Sequence, residues 1–188
     1  MKVGVLALQG AFAEHIKILS GLDVDALPVR LPSDIAGVQA LIIPGGESTT
    51  ISKLLHDYHL MEPIRNVIKR GCPVLGTCAG MVLLANKITG AEVEPIGGMN
   101  IEIKRNAYGR QVESFEADLT IPALGEQAFH GIFIRAPVVQ VMGSNVEVLC
   151  QVRDTAVAVK QGNVLACAFH PELTNDLRFH KYFLHMEI

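Results

Sequence analysis

Residues 73–85 read Pro-Val-Leu-Gly-Thr-Cys-Ala-Gly-Met-Val-Leu-Leu-Ala, which predicts an apolar strand, a tight turn and a helix. The turn has the form Gly-x-Cys-x-Gly, in which Cys78 takes the place of the serine in a nucleophile elbow. Small neighbours suit such a turn, because bulky ones would clash with its strained central residue. The helix N-terminus would favour a thiolate on Cys78, and the N–H of Ala79 could donate to an oxyanion. The alternative is that Cys78 is an ordinary buried core cysteine.

Length and composition predict one globular domain spanning residues 1–188, with enough chain for a sizeable core. Hydrophobic residues make up 49% of the chain and charged residues 19%, which excludes intrinsic disorder. The net charge of -3 provides no basic surface for nucleic acid or an anionic membrane. No apolar run is long enough to span a bilayer, and the first apolar run is too short for a signal peptide.

The cysteine pattern predicts a reducing compartment, so we expect a cytoplasmic protein. We also expect no metal and no cofactor. None of the four cysteines lies in a C-x-x-C motif, so neither a zinc site nor a disulfide framework is indicated. They are Cys72, Cys78, Cys150 and Cys167.

Hydrophobic runs alternate with helical patterns in the first half of the chain, and hairpin signals dominate the second half. The first half predicts strands over 3–8, 24–30, 40–43 and before Cys78, with helices over 11–19, 47–58, 62–70 and after Cys78. The second half predicts strands over 99–105, 112–121, 128–134, 138–142, 146–152, 156–160 and 164–169, and a last helix over 175–185. The pattern favours an α/β fold: a three-layer, open, mostly parallel sheet with helices on both faces and additional antiparallel strands in the second half.

A second candidate motif, Phe169-His170-Pro171-Glu172, ends an apolar strand. In extended backbone, residues two apart point the same way, so Glu172 could orient the His170 imidazole. The alternative is that His170 only ends the strand and Glu172 is solvated. Because ligands gather at the carboxyl ends of parallel strands, Cys78 and His170 could share one site.

A third motif, Pro44-Gly45-Gly46-Glu47-Ser48-Thr49, also follows a strand. Glycine lets backbone approach a substrate closely, so the N–H groups of Gly46 and Ala79 could form a two-donor oxyanion hole. An ordinary turn, with Ser48 or Thr49 capping a helix, is equally compatible with this stretch alone.

Together, the three motifs resemble those of class I (triad) glutamine amidotransferases, in the same order and at comparable spacing. Within that family, the likeness is strongest to the glutaminases that serve pyridoxal phosphate (vitamin B6) synthesis. The likeness runs from end to end, implies a flavodoxin-like sheet, and shows no departure at a motif position. The matching segments are residues 8–15, 44–50, 76–81, 105–111, 133–137 and 169–172.

The resemblance implies hydrolysis of L-glutamine to L-glutamate and ammonia through a thioester. Cys78 would be the nucleophile, His170 the general base and then the acid, and Glu172 the group that orients His170. Arginine suits the glutamine α-carboxylate, although Arg105 and Arg135 taken alone would be ordinary solvated side chains. The implied substrate contacts are Gly46, Glu47, Ser48, Arg105, Ile134 and Arg135.

The resemblance also implies docking on a separate (β/α)8-barrel synthase subunit within a large hetero-oligomer. Ammonia loses its nucleophilicity when water protonates it, so a closed path between two sites would be useful. The partner would complete the oxyanion site, and Gln9 with the helix over 11–20 could sense docking.

Two other functions stay open: a glutaminase subunit serving another acceptor, such as imidazole glycerol phosphate synthase, and a non-catalytic regulatory module on the same fold. The presence of Cys78, His170 and Glu172 together argues against the module. The other cysteines are expected in the core, the basic stretch 65–70 on a solvated helix face, and the remaining histidines on the surface or in packing roles. These histidines are His15, His56, His59, His130, His180 and His185.

Overall fold

The computed structural model describes residues 1–90, 92–104 and 114–186. Its strands are β1 (Lys2–Leu6), β2 (Asp25–Val29), β3 (Ala40–Ile43), β4 (Val74–Thr77), β5 (Ala85–Thr89), β6 (Met99–Lys104), β7 (Ser114–Leu119), β8 (Phe129–Ile134), β9 (Val138–Met142), β10 (Glu147–Val152), β11 (Thr155–Gln161) and β12 (Val164–Cys167). Its helices are α1 (Phe12–Ser20), α2 (Ser48–Asp57), α3 (Met61–Lys69), α4 (Ala79–Leu84) and α5 (Arg178–Leu184).

A seven-stranded sheet with the order β10-β11-β12-β4-β3-β1-β2 forms the centre of the protein. The five strands from β12 to β2 pair in parallel, and β10 and β11 extend the sheet antiparallel. Every residue of β3, β4 and β12 is buried, as expected of strands covered on both faces. The predicted mixed α/β fold with a mainly parallel sheet is confirmed.

The chain changes direction across this sheet after β2. The connection through α1 carries it from β1 outward to β2, whereas β3 and β4 follow on the other side of β1. Because parallel crossovers are right-handed, these opposite steps put α1 on one face and the α2–α3 pair on the other. Such a reversal opens a crevice at the carboxyl ends of the central strands.

Two smaller sheets accompany the central one, with the orders β5-β6-β9 and β7-β8. Strand β5 has no counterpart in the sequence-based prediction, because α4 ends after six residues and the chain enters β5 at once. Helix α5 begins three residues later than predicted. Asp176 stabilises the preceding turn, since its Oδ1 accepts from the N–H of Arg178 at 3.0 Å.

The expectation of a solvated basic face over 65–70 is wrong for Arg65. Its guanidinium donates to the carbonyl oxygens of Pro95 and Ile96 and to the carboxylates of Glu62 and Glu94. Arg65 therefore ties α3 to the segment before β6. None of the helices in the described parts of the chain has the length and hydrophobicity to cross a bilayer.

Candidate active site

Three of the sequence motifs meet at one edge of the central sheet. Gly45 follows β3, Cys78 follows β4 and His170 follows β12, and these three strands are adjacent and parallel. The register pairs Thr77 with Cys167, so the segments leaving β4 and β12 start at the same level. The topology therefore brings the candidate nucleophile, base and oxyanion loop to one place.

Cys78 occupies the strained centre of the strand-to-helix turn, with φ at 47°. Glycine makes this turn possible, because a Cβ on Gly80 would overlap the carbonyl oxygen of Ile43. The side chain is only 7% exposed, and its Sγ lies 3.7 Å from the carbonyl oxygen of Ile134. The sulfur thus lies at the edge of the cleft, shielded from bulk water.

His170 and Glu172 form a tight buried pair, with 2.7 Å between Nδ1 and Oε1. The local structure differs from the extended segment predicted, because Pro171–Leu173 form a 3-10 turn that Pro171 opens. Burial alone would lower the pKa of His170, but hydrogen bonds to Cys78 and Glu172, together with their charges, raise it above its usual value. A protonated imidazole between a sulfur and a carboxylate can give a proton to a leaving group.

The Gly45–Gly46 loop is held by hydrogen bonds to two neighbouring segments, the end of β4 and the start of α1. The N–H of Gly45 donates to Thr77 Oγ1 at 2.9 Å, and its carbonyl accepts from the N–H of Ala11 at 3.0 Å. Gly45 has no room for a side chain, because a Cβ there would lie 2.5 Å from Cε1 of His170. Backbone therefore passes directly beside the candidate base, as close approach to a substrate requires.

Gln9 joins this loop from the end of β1. Its Oε1 accepts from the N–H of Glu47 at 2.8 Å. Gln9 thereby holds the end of the loop at the point where α2 begins.

Glu47 is the N-cap of α2, whereas the alternative interpretation of this motif had Ser48 or Thr49 in that role. Its carboxylate accepts from the N–H and hydroxyl of Thr50 and from the hydroxyl of Thr49. Its slight burial would raise its pKa, but these hydrogen bonds lower the pKa to about 2. An ionised Glu47 therefore stays bound to its own helix.

The candidate groups surround a cleft of about 190 Å³, which has room for a molecule of amino-acid size. Val82 and Pro137 line it too, and nothing in their local sequence pattern indicates this. Arg135 lies exposed at the cleft with φ at 46°, an uncommon value for a residue with a side chain. Arg105, which the resemblance placed in substrate binding, lies outside the described residues. The cleft is lined by Gln9, Gly46, Glu47, Ser48, Cys78, Ala79, Val82, Ile134, Arg135, Pro137 and His170.

Two buried residues beneath the cleft were not singled out from the sequence as site residues, Thr77 and His15. Thr77 bonds the Gly45 N–H, and His15 Nε2 lies 3.3 Å from Thr77 Oγ1. The sequence did offer one signal for Thr77, because a polar residue ends the otherwise apolar strand β4. His15 gave none, because its contacts are with residues distant in the chain.

Known proteins resemble this chain along nearly its whole length. The SNO glutamine amidotransferase family matches residues 5–188. Pyridoxal 5'-phosphate synthase subunit PdxT of Moorella thermoacetica is 54% identical over 99% of both chains. The protein of the same name from Pelotomaculum thermopropionicum is 55% identical over 98% of this chain and 94% of its own.

Solved structures agree with this likeness. A crystal structure of a glutamine amidotransferase superposes with a TM-score of 0.92 at 49% identity, covering 98% of this chain and 97% of the other. PurLQS from Thermotoga maritima shares the fold alone, with a TM-score of 0.71 at 17% identity over 97% of each chain. The chain belongs to the SNO glutamine amidotransferase family.

Proposed function

We propose that this protein hydrolyses L-glutamine to L-glutamate and ammonia as the glutaminase subunit of a pyridoxal 5'-phosphate synthase. The observation that carries the chemistry is the meeting of Cys78, His170 and Glu172 at the ends of β4 and β12, beside a cleft. The shared name of relatives at 54% and 55% identity supports the biosynthetic assignment.

In the first half-reaction, Cys78 gives its thiol proton to His170, and its Sγ attacks the carbonyl carbon of the glutamine side-chain amide. A carbon–sulfur bond forms, and the carbonyl π electrons move to oxygen. The resulting oxyanion accepts hydrogen bonds from the N–H groups of Gly46 and Ala79. The imidazolium of His170 then protonates the amide nitrogen as the carbon–nitrogen bond breaks, which leaves ammonia and a glutamyl thioester.

In the second half-reaction, neutral His170 takes a proton from water while the water oxygen attacks the thioester. Glutamate leaves as the carbon–sulfur bond breaks, and the released sulfur takes the proton back from His170, so that both residues return to their starting states. Glu172 keeps Nδ1 of His170 in place throughout, so that the other ring nitrogen faces the reacting atoms.

Substrate recognition uses the rim of the same cleft. Arg135 and Arg105 are our candidates for the glutamine α-carboxylate, which a guanidinium can bind through two hydrogen bonds. Since the Glu47 carboxylate is engaged by Thr49 and Thr50, we assign its contact with glutamine to the backbone. Gly46, Ser48 and Ile134 complete the proposed contacts.

The ammonia goes to a partner. We propose a barrel-type synthase subunit in a large cytoplasmic hetero-oligomer, in which the partner completes the oxyanion site. The described cysteines are all free thiols, which suits a reducing compartment.

The test is ammonia release from L-glutamine by the purified chain mixed with the synthase subunit from the same source. We expect Cys78→Ala to abolish release, because the attack on the amide carbon requires the sulfur that this variant lacks. Cys72→Ala is the matched control, since Cys72 is half-buried and does not line the cleft. It should release ammonia at the wild-type rate.

The outcomes separate the alternatives. No release by the wild type in the mixture would favour a glutaminase for another acceptor or a non-catalytic module. Residual hydrolysis by Cys78→Ala would refute the nucleophile assignment. Release that depends on both Cys78 and the synthase subunit supports the whole proposal.

A further inference from the structure

Two buried histidines lie beneath the candidate triad. His15 on α1 and His180 on α5 are both fully buried, and 2.9 Å separates His15 Nδ1 from His180 Nε2. Their rings are tilted by 56° with centroids 5.1 Å apart. Elements from opposite ends of the chain therefore meet through one polar contact inside the core.

The other nitrogen of His15 faces the triad. Its Nε2 lies 3.4 Å from Glu172 Oε2, and both side chains are fully buried. Glu172 bonds His170 through Oε1, whereas Oε2 has no hydrogen-bond partner among the described residues. A buried carboxylate oxygen without a partner is costly, and His15 Nε2 is the ring nitrogen that faces it.

The same nitrogen lies 3.3 Å from Thr77 Oγ1, which accepts the N–H of Gly45. His15 Nε2 therefore contacts both Glu172, which bonds the candidate base, and Thr77, which bonds the oxyanion loop. The buried Cys167 thiol is also close to Glu172, and burial raises its pKa further above neutrality. Cys167 therefore adds no charge there.

His15 is electrically neutral in this setting. Burial, followed by the charges of His180 and His170, lowers its pKa well below the usual value. A neutral imidazole carries a single N–H, so one of its nitrogens donates and the other accepts. A lone pair on Nε2 would point at the Glu172 carboxylate and repel it.

The opposite arrangement satisfies more groups. With the proton of His15 on Nε2, its Nδ1 accepts from His180 Nε2–H. His180 Nδ1 has no partner among the described residues, and in this arrangement it carries no proton. No buried N–H of His180 is then left without an acceptor. Burial also lowers the pKa of His180 to about 4, so this ring carries one proton as well.

We infer that His15 is a positioning residue: its Nε2–H, fixed by His180, holds Glu172 aligned for His170, and its contact with Thr77 links it to the oxyanion loop. The inference rests on the proposed role of the triad. It adds a layer of two histidines beneath the residues that touch substrate. His15 itself does not line the cleft.

The first test determines the tautomer in the wild type. Nitrogen–proton correlation spectra of the chain with ¹⁵N-labelled histidine distinguish a proton on Nε2 from one on Nδ1. We expect Nε2–H for both His15 and His180 at neutral pH. A proton on Nδ1 of His15 would overturn the inference without any variant.

The second test compares His15→Leu with His15→Gln. Leucine has no N–H, whereas glutamine offers an amide N–H near the former Nε2. The readout is the pH dependence of Cys78 alkylation by iodoacetamide, followed on the Cys78 peptide by mass spectrometry. In His15→Leu, Glu172 loses the donor that aligns it with His170. We therefore expect the acidic limb of the Cys78 alkylation profile to move to higher pH by roughly 1 unit. In His15→Gln the limb should return toward its wild-type position.

A purely structural His15 would lower the unfolding temperature of both variants and leave the acidic limb in place, which would overturn the inference. Neither readout requires glutamine turnover. If the limb shifts but the wild type never releases ammonia with the synthase, the proposed function fails and the positioning role survives.

Discussion

Burial lowers the pKa of His170, and Cys78 and Glu172 together raise it above the usual value. Glu172 Oε1 lies 2.7 Å from His170 Nδ1 in a site that excludes most water. A carboxylate this close favours the imidazolium strongly, because little solvent screens the attraction. The same contact fixes the ring orientation.

Glu172→Gln keeps the size of the side chain and removes its charge. We expect the pKa of His170 to fall, which proton NMR titration of the ring measures, and ammonia release to drop about 10²-fold or more. Glu126→Gln, which neutralises an exposed carboxylate, is the control and should change neither. An unchanged His170 titration in Glu172→Gln would contradict the role of this carboxylate.

The elbow between β4 and α4 requires the backbone of Gly80 to lie against the backbone of Ile43 in β3. Gly80→Ala would press a Cβ into the Ile43 carbonyl of the neighbouring strand. We expect a loss of about 1–3 kcal/mol in the free energy of unfolding, measured with urea, and loss of Cys78 reactivity as the turn shifts. Gly21→Ala is the control, because its φ of -85° suits alanine. Equal stability of the two variants would contradict the close packing.

Gln9 connects the chain after β1 to the loop after β3, so it is placed to couple α1 to the candidate oxyanion loop. We expect Gln9→Ala to reduce the stimulation of ammonia release by the synthase subunit, because the Glu47 N–H loses its partner. Gln39→Ala is the control, since Gln39 bonds the backbone of Lys2 at the start of β1. Full stimulation of Gln9→Ala would rule out this coupling.

The local sequence pattern predicted an element correctly where the residue types themselves determine the backbone conformation. The run before Cys78 and the glycines around it indicated the elbow, and continuous apolar runs indicated β1 and β3. Strand β5 was not predicted, because Asn86 and Lys87 are polar and the strand depends on pairing with β6. The 3-10 turn after His170 was not predicted either, because the residues that follow the strand are equally compatible with a turn and with extended chain.

Contacts between distant segments could not be predicted from pattern at all. Cys78 and His170 were expected to share a site because both follow strands, and their adjacency depends on β4 pairing with β12. The His15–His180 contact joins residues 165 positions apart. Predicting it requires the positions of α1 and α5, which no single motif specifies. The single domain over 1–188 stays a prediction.

At the scale of the whole molecule, two neutral histidines in the core make stability sensitive to acid. The pKa of His15 is lowered well below 6.5 and that of His180 to about 4, chiefly by burial. Below about pH 6.5 the unfolded chain therefore binds protons that the folded protein does not, and stability falls as pH falls. His170 has the opposite shift, so its contribution is already complete below that pH and does not change.

We expect the free energy of unfolding to fall between pH 6.5 and 4.5 by up to about 1.4 kcal/mol per pH unit for each of the two histidines. Urea titrations over this range measure the slope. His180→Leu should remove about half of it, whereas His56→Gln, at an exposed histidine, should leave it intact. The same slope in His180→Leu as in the wild type would contradict the burial argument.

The central claim is that Cys78 attacks glutamine in this cleft, and covalent labelling by a chloroketone analogue of L-glutamine tests it most directly. Peptide mapping by mass spectrometry, with the synthase subunit present, locates the adduct. We predict a single adduct on Cys78 that L-glutamine prevents. An adduct on Cys72, or one on Cys78 that L-glutamine does not prevent, would contradict the claim.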